Sequence, residues 1–565
     1  MRFLLLGDIH CYGHYVFDAI KQVGAKGPID AVVSVGDLTN TGGQIEVESV
    51  VGAVKSGLES IGCEGAPYIT CMGNHDYGNK VNSDEDNAAY RARFESVVGI
   101  SYRQVAEVKG YTFITFSARN HSAGYTDEDY DWLDEQITLA EGRSDDLPVF
   151  IVCHYSSGAV NLYGDTAVTR TRMHALLERH PRAVLLSGHS HAYLAHERSF
   201  MQSEKGYHSV NAGSLWQSAR ADNIPGTVTG YYIPAVTVAE CEDGKVTMQR
   251  YNTEKAQSFG RPWVITPNAD NSLAKRGESA PMPQFSEGEV EITNIGATSA
   301  LISYPQARGE VEYYEAEAID QNGEAFTAKF TSYYFMPRDC RGAMQIDGLT
   351  PNSQHTVTVY PVDFYGRVGE GISATFKTEP QALNFDKVIY EGEILPDMWT
   401  GDTDNIREEV GFATDSDEKT PYIISKNQYW FGDGFGVFAQ NKRNQYNNSD
   451  SDFSCLQVGR YTAATCRTKE GNRVALLDGW QISGGNPFDS DCIVASATLP
   501  YAIGEQNIGL TLRDGVLTMW RDNLPALKVE AQPEKNKAVH IALRLGETWG
   551  VFNNCASFNN IKITE

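Results

Sequence analysis

Aspartate, histidine and asparagine side chains directly follow five short apolar runs in the first part of the chain. Asp8 and His10 follow Phe3–Leu6, Asp37 follows Ala31–Val35, Asn74 follows Tyr68–Met72, His154 follows Val149–Cys153, and His189 and His191 follow Ala183–Leu186. Carboxylate, imidazole and amide oxygen donors together favour first-row divalent ions such as Mn²⁺, Fe²⁺, Zn²⁺ or Co²⁺. Gly36, Gly73 and Gly188 lie just before ligand positions, where the backbone needs room for a tight turn. The pattern predicts a metal centre.

The elements that must position these residues are buried strands alternating with helices. The apolar runs are typical of buried strands, and helical spacing occurs between them at Tyr12–Val23, Gln44–Ile61, Asp84–Val98, Asp127–Ala140 and Ala167–Arg179. This alternation predicts a layered α/β domain, in which the carboxyl ends of the strands meet at one crevice. Two divalent ions held there about 3.5 to 4 Å apart could activate a bridging water and clamp a transferring phosphoryl group.

The five motifs, in this order, resemble those of the calcineurin-like metallophosphoesterases over about the first 255 residues. They are Gly7-Asp8-Ile9-His10, Gly36-Asp37, Gly73-Asn74-His75-Asp76, His154 and Gly188-His189-Ser190-His191. Asn211-Ala212-Gly213-Ser214 matches a strand-turn that often follows the last ligand motif of the family. The resemblance implies an αββα sandwich and a metal-dependent phosphoric ester hydrolase, either a phosphodiesterase or a phosphatase.

The resemblance also implies a role for each position. The first of two divalent ions would take Asp8, His10 and His191, the second would take Asn74, His154 and His189, and Asp37 would bridge them. His75 would contact the phosphate and protonate the leaving group, and Asp76 would orient His75 and hold it protonated. Asn40 stands where purple acid phosphatases carry the tyrosine that ligates ferric iron, so a ferric-tyrosinate centre is not expected.

The candidate substrate contacts are Asn40, Arg119 and His121, and the expected substrate is a small phosphate ester. With 47 basic and 73 acidic residues the formal net charge is −26, which argues against extended nucleic acid or an anionic membrane as the main partner. A phosphodiester is favoured over a monoester, because the sequence has no evident cluster of Arg and Lys near the ligands to neutralise a dianion.

The rest of the chain predicts two further domains, giving a multidomain protein in which an α/β layered sandwich precedes two all-β sandwiches. Residues 1–260 would form the catalytic domain, and 261–284, with four prolines, would form a linker. Residues 285–380 resemble a fibronectin type III module through Gly348-Leu349-Thr350-Pro351 and Thr356–Asp363. Residues 381–565 resemble a concanavalin-like jelly roll through their closing strand, Phe558–Ile563.

One alternative is a glycan-binding or partner-binding protein with a vestigial phosphoesterase domain. Five tryptophans that could contact carbohydrate lie in the last third, at Trp399, Trp430, Trp480, Trp520 and Trp549. The sequence is also compatible with an oligomer. No run approaches the roughly 20 apolar residues of a membrane span. Met1 directly precedes the first strand, so we expect a cytoplasmic protein, the alternative being an exported one whose signal is absent from this sequence.

Overall fold

An α/β part is followed by two all-β parts in the computed structural model of the chain. The structure describes all residues except 79–81, 123, 145, 158–166, 217, 219–233, 333–340, 381–386, 409, 415–419, 432–433, 444–451, 469–470, 501–504, 533–536 and 547–555. Within the described residues, the elements alternate between strands and helices up to α5 and are almost entirely strands after it.

The α/β part matches the predicted strands and helices closely and adds hairpins to them. Its strands are β1 Arg2–Leu6, β2 Ala31–Ser34, β3 Tyr68–Thr70, β4 Arg103–Val108, β5 Tyr111–Phe116, β6 Val149–Cys153, β7 Ala183–Ser187, β8 Phe200–Gln202, β9 His208–Asn211, β10 Ala235–Glu242, β11 Lys245–Asn252 and β12 Gln257–Ile265. Its helices are α1 Gly13–Gly24, α2 Gln44–Ser60, α3 Asp84–Val98, α4 Asp127–Glu141, α5 Ala167–Leu177 and α6 Leu273–Glu278.

Two six-stranded sheets pack against each other, with the orders β12-β11-β10-β1-β2-β3 and β4-β5-β6-β7-β9-β8. Phe3 and Leu5 of the first sheet join Phe113 and Phe150 of the second in one buried cluster. The alternate residues, such as Leu4 and Leu6, pack under helices. The strands β1, β2 and β3 are parallel, and so are β5, β6, β7 and β9, so the ligand-bearing strand ends share one edge of the sandwich.

The outer helices α4 and α5 are joined by a charged contact at the side of the sandwich. His180, just after α5, places one ring nitrogen 2.8 Å from Glu141 and the other 2.8 Å from Asp134, both on α4. Burial lowers the pKa of His180, but hydrogen bonds to these two carboxylates outweigh burial and raise it. The ring therefore links α4 to the turn after α5 through both of its nitrogens.

The middle part consists of antiparallel β sheets, two larger ones and one short pair of strands. Its strands are β13 Gln284–Phe285, β14 Glu291–Thr293, β15 Ser299–Tyr304, β16 Ala307–Arg308, β17 Val311–Asp320, β18 Ala325–Thr331, β19 Gly342–Asp347, β20 Gln354–Asp363 and β21 Ile372–Lys377. The short pair is β13-β16, and the larger sheets have the orders β14-β15-β19 and β18-β17-β20-β21. Tyr304 and Tyr314 meet between them with ring centroids 4.6 Å apart.

The last part consists of two larger antiparallel sheets that enclose one apolar core. Its strands are β22 Val388–Glu393, β23 Trp399–Gly401, β24 Ile406–Arg407, β25 Gly411–Thr414, β26 Tyr422–Ser425, β27 Tyr429–Trp430, β28 Phe435–Arg443, β29 Phe453–Val458, β30 Tyr461–Thr468, β31 Gly471–Asp478, β32 Ile493–Leu499, β33 Glu505–Arg513, β34 Val516–Arg521, β35 Leu524–Glu530, β36 Ala538–Val539, β37 Ile541–Leu545 and β38 Ala556–Thr564. Trp399 and Trp480 are buried, Trp430 is exposed, and Trp549 lies outside the described residues.

The segment 261–284 is less irregular than a linker, because β12 runs to Ile265 and α6 lies within it. Arg261, on β12, donates to Glu310 of the middle part at 2.8 and 2.9 Å and to the Tyr365 hydroxyl at 2.9 Å. The segment therefore belongs partly to the first sheet and partly to the contact with the middle part.

A buried ionic network lies beside this contact. Glu197 accepts from the Trp263 indole at 2.9 Å and pairs with Arg250 and Arg276, each at 2.7 Å. Glu197 and Arg250 are completely or almost completely buried, so each charge depends on the other for compensation. The network fixes α6 against the second sheet.

Among the described residues, none of the helices has both the length and the apolar character needed to cross a bilayer.

Candidate metal centre

The predicted ligands stand on sharp turns immediately after the strands, in a backbone conformation that L-residues rarely adopt. The φ angles of Asp8, His10, Asp37, His189 and His191 are 22°, 48°, 49°, 63° and 49°. Positive φ is uncommon outside glycine and concentrates at functional sites, where the surrounding structure offsets its cost. The turns aim side chains from both sheets into one crevice.

The ligand atoms form two groups that share Asp37. Asp8, His10, Asp37 and His191 make the first group, and Asp37, His154 and His189 make the second, with all ligand atoms of each group within 4.8 Å of one another. Asp37 Oδ2 lies 3.7 Å from His10 Nε2 and 3.3 Å from His154 Nε2. Asn74 joins the second group, since its Oδ1 lies 3.0 Å from His154 Nε2. The structure thus brings together all seven predicted ligands.

Backbone and side-chain acceptors set the direction of two of the imidazoles. His154 Nδ1 donates to the Val35 carbonyl at 2.9 Å, and His10 Nδ1 donates to Asn40 Oδ1 at 3.0 Å. With the proton on Nδ1, the Nε2 lone pair of each ring points toward Asp37 and is available to a cation.

Gly73 and Gly188 leave space beside the ligand carboxylates that any side chain would fill. A Cβ on Gly73 would collide with Asp37 Oδ1, and a Cβ on Gly188 would lie 2.5 Å from Asp8 Oδ2. The sequence prediction that these glycines make room beside the ligands is confirmed.

The electrostatics of the crevice are those of a site that needs a cation. Burial raises the pKa of Asp8 well above its usual range and lowers that of His10 to about 4. For His154 burial acts downward, but Asp37 and Asp8 outweigh it and raise the pKa to about 10. Burial also acts to raise the pKa of Asp37, yet His154 and His10 hold it below its usual range. Buried carboxylates and imidazoles compensate one another here through shared protons, which divalent cations could replace.

The residues present therefore fit metal ions of the first-row divalent class. Carboxylate, imidazole and amide oxygen atoms converge, no thiolate is part of either group, and the shared carboxylate lies between the two.

His75 lies at the mouth of the crevice, outside both ligand groups. Its backbone N–H donates to Asp37 Oδ1 at 2.8 Å, and its ring Nδ1 donates to the Asn40 carbonyl at 3.1 Å. The ring is partly exposed and meets His10 edge-on at a centroid distance of 4.6 Å. The hydrogen bond to Asn40 uses Nδ1 of the ring and leaves Nε2 out of the hydrogen bonds made among the described residues.

Among the described residues, the hydrogen bonds of the Asp76 carboxylate go to Thr39 and Gly73 and that of the His75 ring goes to Asn40, so the expected orienting of His75 by Asp76 has no hydrogen bond to support it. The carboxylate accepts from the Thr39 N–H at 3.1 Å, the Thr39 hydroxyl at 2.9 Å and the Gly73 N–H at 3.0 Å. Burial and the nearby Asp37 raise its pKa to about 7. Asp76 joins the turn after β2 to the turn after β3, while the Asn40 carbonyl is the group that holds His75.

The three predicted substrate contacts have different surroundings. Asn40 is engaged with two histidines, as described above. Arg119 forms a two-point contact with Asp129 at the start of α4, with one of its distances 2.9 Å. His121 is partly exposed, and burial together with neighbouring His75 lowers its pKa. His121 therefore stays a candidate contact, whereas the Arg119 guanidinium already has a carboxylate partner.

Two aromatic residues beside the ligands were not found by motif reasoning. The Tyr155 ring lies 4.7 Å from the His189 ring, and the Trp216 ring lies 4.5 Å from the His10 ring and 5.7 Å from the His191 ring. Tyr155 directly follows a predicted ligand, and Trp216 follows the predicted strand-turn by two residues, so proximity to the motifs was the available signal.

The family model of the calcineurin-like phosphoesterases matches residues 1–193. This stretch contains all seven ligands and His75, and the match suggests a phosphoester hydrolase.

Solved structures resemble separate parts of the chain. A conserved uncharacterized protein of Streptococcus pneumoniae TIGR4, described as a predicted phosphoesterase, is 13% identical over 47% of this chain and 97% of its own, with a TM-score of 0.25. The carbohydrate recognition domain of Emp47p is 13% identical over 33% of this chain and 99% of its own, with a TM-score of 0.26. The FN5 domain of Drosophila Lar is 18% identical over 18% of this chain and 97% of its own, with a TM-score of 0.14. TM-scores this low support no assignment of their own.

Proposed function

We propose that the protein is a phosphoesterase that uses two divalent metal ions and prefers phosphodiesters. The observation that carries this proposal is the position of Asp37, whose carboxylate belongs to both ligand groups. A carboxylate shared in this way offsets the repulsion between two cations. A site for a single metal ion would not require a shared carboxylate. The match of residues 1–193 to the calcineurin-like phosphoesterases supports the same reading.

When bound, the two cations would supply the Lewis acidity that activates a water molecule and neutralises the phosphoryl oxygens. The chain itself contributes position and protons. The Asp37 carboxylate holds His75 in place by accepting from the His75 backbone N–H. The Asn40 carbonyl holds the His75 ring by accepting from Nδ1. His75 Nε2 then protonates the departing alkoxide, and the sharp turns at the strand ends keep the ligands in place throughout.

The preference for a diester is supported by the surroundings of Arg119. A monoester dianion gains from a free guanidinium, but the Arg119 guanidinium is already paired with Asp129. Among the described residues, His75 and His121 are two partly exposed imidazoles near the ligands. Imidazoles suit the smaller charge of a diester better than they suit a dianion.

The test combines metal content with turnover. The wild-type protein, purified without chelators, should contain two divalent ions per chain and hydrolyse bis-p-nitrophenyl phosphate faster than p-nitrophenyl phosphate when Mn²⁺ is added. Asp37→Asn should reduce the metal content of both sites in elemental analysis, since the shared charge is lost. Wild-type metal content in Asp37→Asn would refute the bridging role.

A second candidate function is carbohydrate contact through the last part of the chain. Trp430 is the observation that favours it, because 64% of its surface is exposed on the short strand β27. A glycan array probed with the wild-type protein and with Trp430→Ala tests this directly. Signals that are equal for the two proteins, or no signal from the wild type, would contradict it.

A further inference from the structure

The chain segment 211–216 contacts the two turns that carry Asp8, His10 and His191 of the first ligand group. The Asn211 side-chain amide donates to the Gly188 carbonyl at 3.0 Å and to the Ser190 hydroxyl at 2.7 Å, on the turn that ends in His191. The Ser214 hydroxyl donates to the Asp8 carbonyl at 3.1 Å, on the turn that leads to His10. One short segment thus connects the strand ends of the two sheets.

The same segment ends in Trp216, and its backbone sets where the indole lies. The Trp216 N–H donates to the Ser214 hydroxyl at 3.0 Å, so one hydroxyl contacts both the Asp8 turn and the Trp216 backbone. The indole packs against His10 at a tilt of 47° and meets His191 edge-on at 72°. These are the two imidazoles of the first group, on opposite sheets.

From this geometry we infer that Trp216 is a positioning residue for the first cation site. The inference rests on the proposed function. The indole packs against the His10 and His191 rings and so limits their rotation, and the backbones of both residues already occupy the left-handed region. Rings held in a ligating orientation lose less freedom when a cation binds.

The second group has a different aromatic neighbour. His189 packs against Tyr155, which belongs to the turn after β6 rather than to the segment 211–216. A change at Trp216 should therefore act on one site and spare the other, and this selectivity separates a positioning role from general destabilisation.

The experiment measures binding of Mn²⁺ alone by calorimetry and needs no turnover. Trp216→Ala is combined with His189→Ala, which leaves only the first group complete, and separately with His191→Ala, which leaves only the second. In the His189→Ala background we expect Trp216→Ala to weaken Mn²⁺ binding by roughly 10 to 100-fold, the range for partners that orient metal ligands. In the His191→Ala background we expect no change.

Two further variants guard against misfolding. Trp216→Phe keeps an aromatic ring against both histidines and should retain most of the affinity. Trp132→Phe alters a partly buried tryptophan of α4, which packs in the core under the second sheet, and should leave Mn²⁺ binding unchanged. All of these variants are also compared by thermal unfolding in their metal-free form. Equal transition temperatures show that the fold is intact.

The possible results separate the role of Trp216 from the proposed function. Equal weakening in both backgrounds, no weakening in either, or a loss in Trp216→Phe as large as in Trp216→Ala would overturn the role of Trp216. Failure of the wild type to bind Mn²⁺ would overturn the proposed function and this inference with it. Two normal sites in the wild type with no effect of Trp216→Ala would overturn this inference alone.

Discussion

His75→Ala should remove proton donation and keep both metal ions, because the ring supplies no ligand atom and the first group loses only an edge-on ring contact with His10. The backbone N–H of His75 donates to the shared carboxylate, and the alanine variant keeps this hydrogen bond. The ring lies outside both groups and is held by the Asn40 carbonyl. General acid catalysis is typically worth about 10² to 10⁴ in rate, so turnover of an alkyl phosphodiester should fall by that factor. This corresponds to about 3 to 5 kcal/mol of activation free energy.

The assay compares leaving groups of different acidity with matched metal analysis. With p-nitrophenol as leaving group the loss should shrink, because this phenolate departs without a proton. His154→Ala and His189→Ala serve as contrasts and should lose metal as well as activity, since both rings belong to the second group. An equal loss of turnover for both leaving groups, or loss of metal from His75→Ala, would refute the role given to this ring.

Three further perturbations test separate features. Gly73→Ala should lose metal and unfold more easily by about 1 to 3 kcal/mol, because its Cβ would collide with the shared carboxylate, whereas Gly52→Ala has open space around it and should retain metal in elemental analysis. Asn40→Ala should weaken Mn²⁺ binding at the first site by about 10 to 100-fold, since it removes the acceptor of His10 Nδ1 but keeps the backbone carbonyl; unchanged calorimetry would contradict this. His180→Gln should cost about 1 to 3 kcal/mol of stability at pH 5.5. The raised pKa of His180 makes its contribution complete below about pH 6.5 and lost as pH rises through the folded-state value, so a difference in melting temperature that grows toward pH 9 would be the contrary result.

The ligand set could be predicted from the sequence because each ligand lies within a few residues of a strand end. The strands are short apolar runs, and parallel neighbours bring their carboxyl ends together whatever their separation along the chain. Asp8 and His191 are far apart in sequence, yet His191 Nε2 lies 3.5 Å from Asp8 Oδ1. Local pattern and topology predicted that the strand-end side chains meet, and the family resemblance implied the grouping of Asp8 with His191.

The roles of Asp76 and Asn40 could not be predicted in the same way. Both residues stand next to His75 in the fold, and only the turn geometry decides that the Asn40 carbonyl reaches the ring while the Asp76 carboxylate faces Thr39. Trp216 was missed for a related reason, because its position depends on a hydrogen bond that Ser214 makes with the turn at Asp8, about two hundred residues earlier in the chain.

Each of the two sheets contains an antiparallel hairpin that the prediction of alternating strands and helices did not include, although its turn residues indicate it. Asp243 and Gly244 join β10 to β11 with φ angles of 47° and 78°, the conformation of a two-residue hairpin turn that an Asp-Gly pair favours. Lys109 and Gly110 join β4 to β5 in the same way, with φ angles of 47° and 85°.

The path of β12 and α6 has a practical consequence for dividing the protein. A fragment ending at residue 260 would stop in the middle of β12 and discard both Trp263 and Arg276, two of the partners that compensate Glu197. Its remaining half-strand would expose a sheet edge made for pairing. Expression of the α/β part by itself therefore calls for a boundary after α6, and Arg261 would even then lack Glu310. The first two parts should accordingly be purified together and should unfold as one unit.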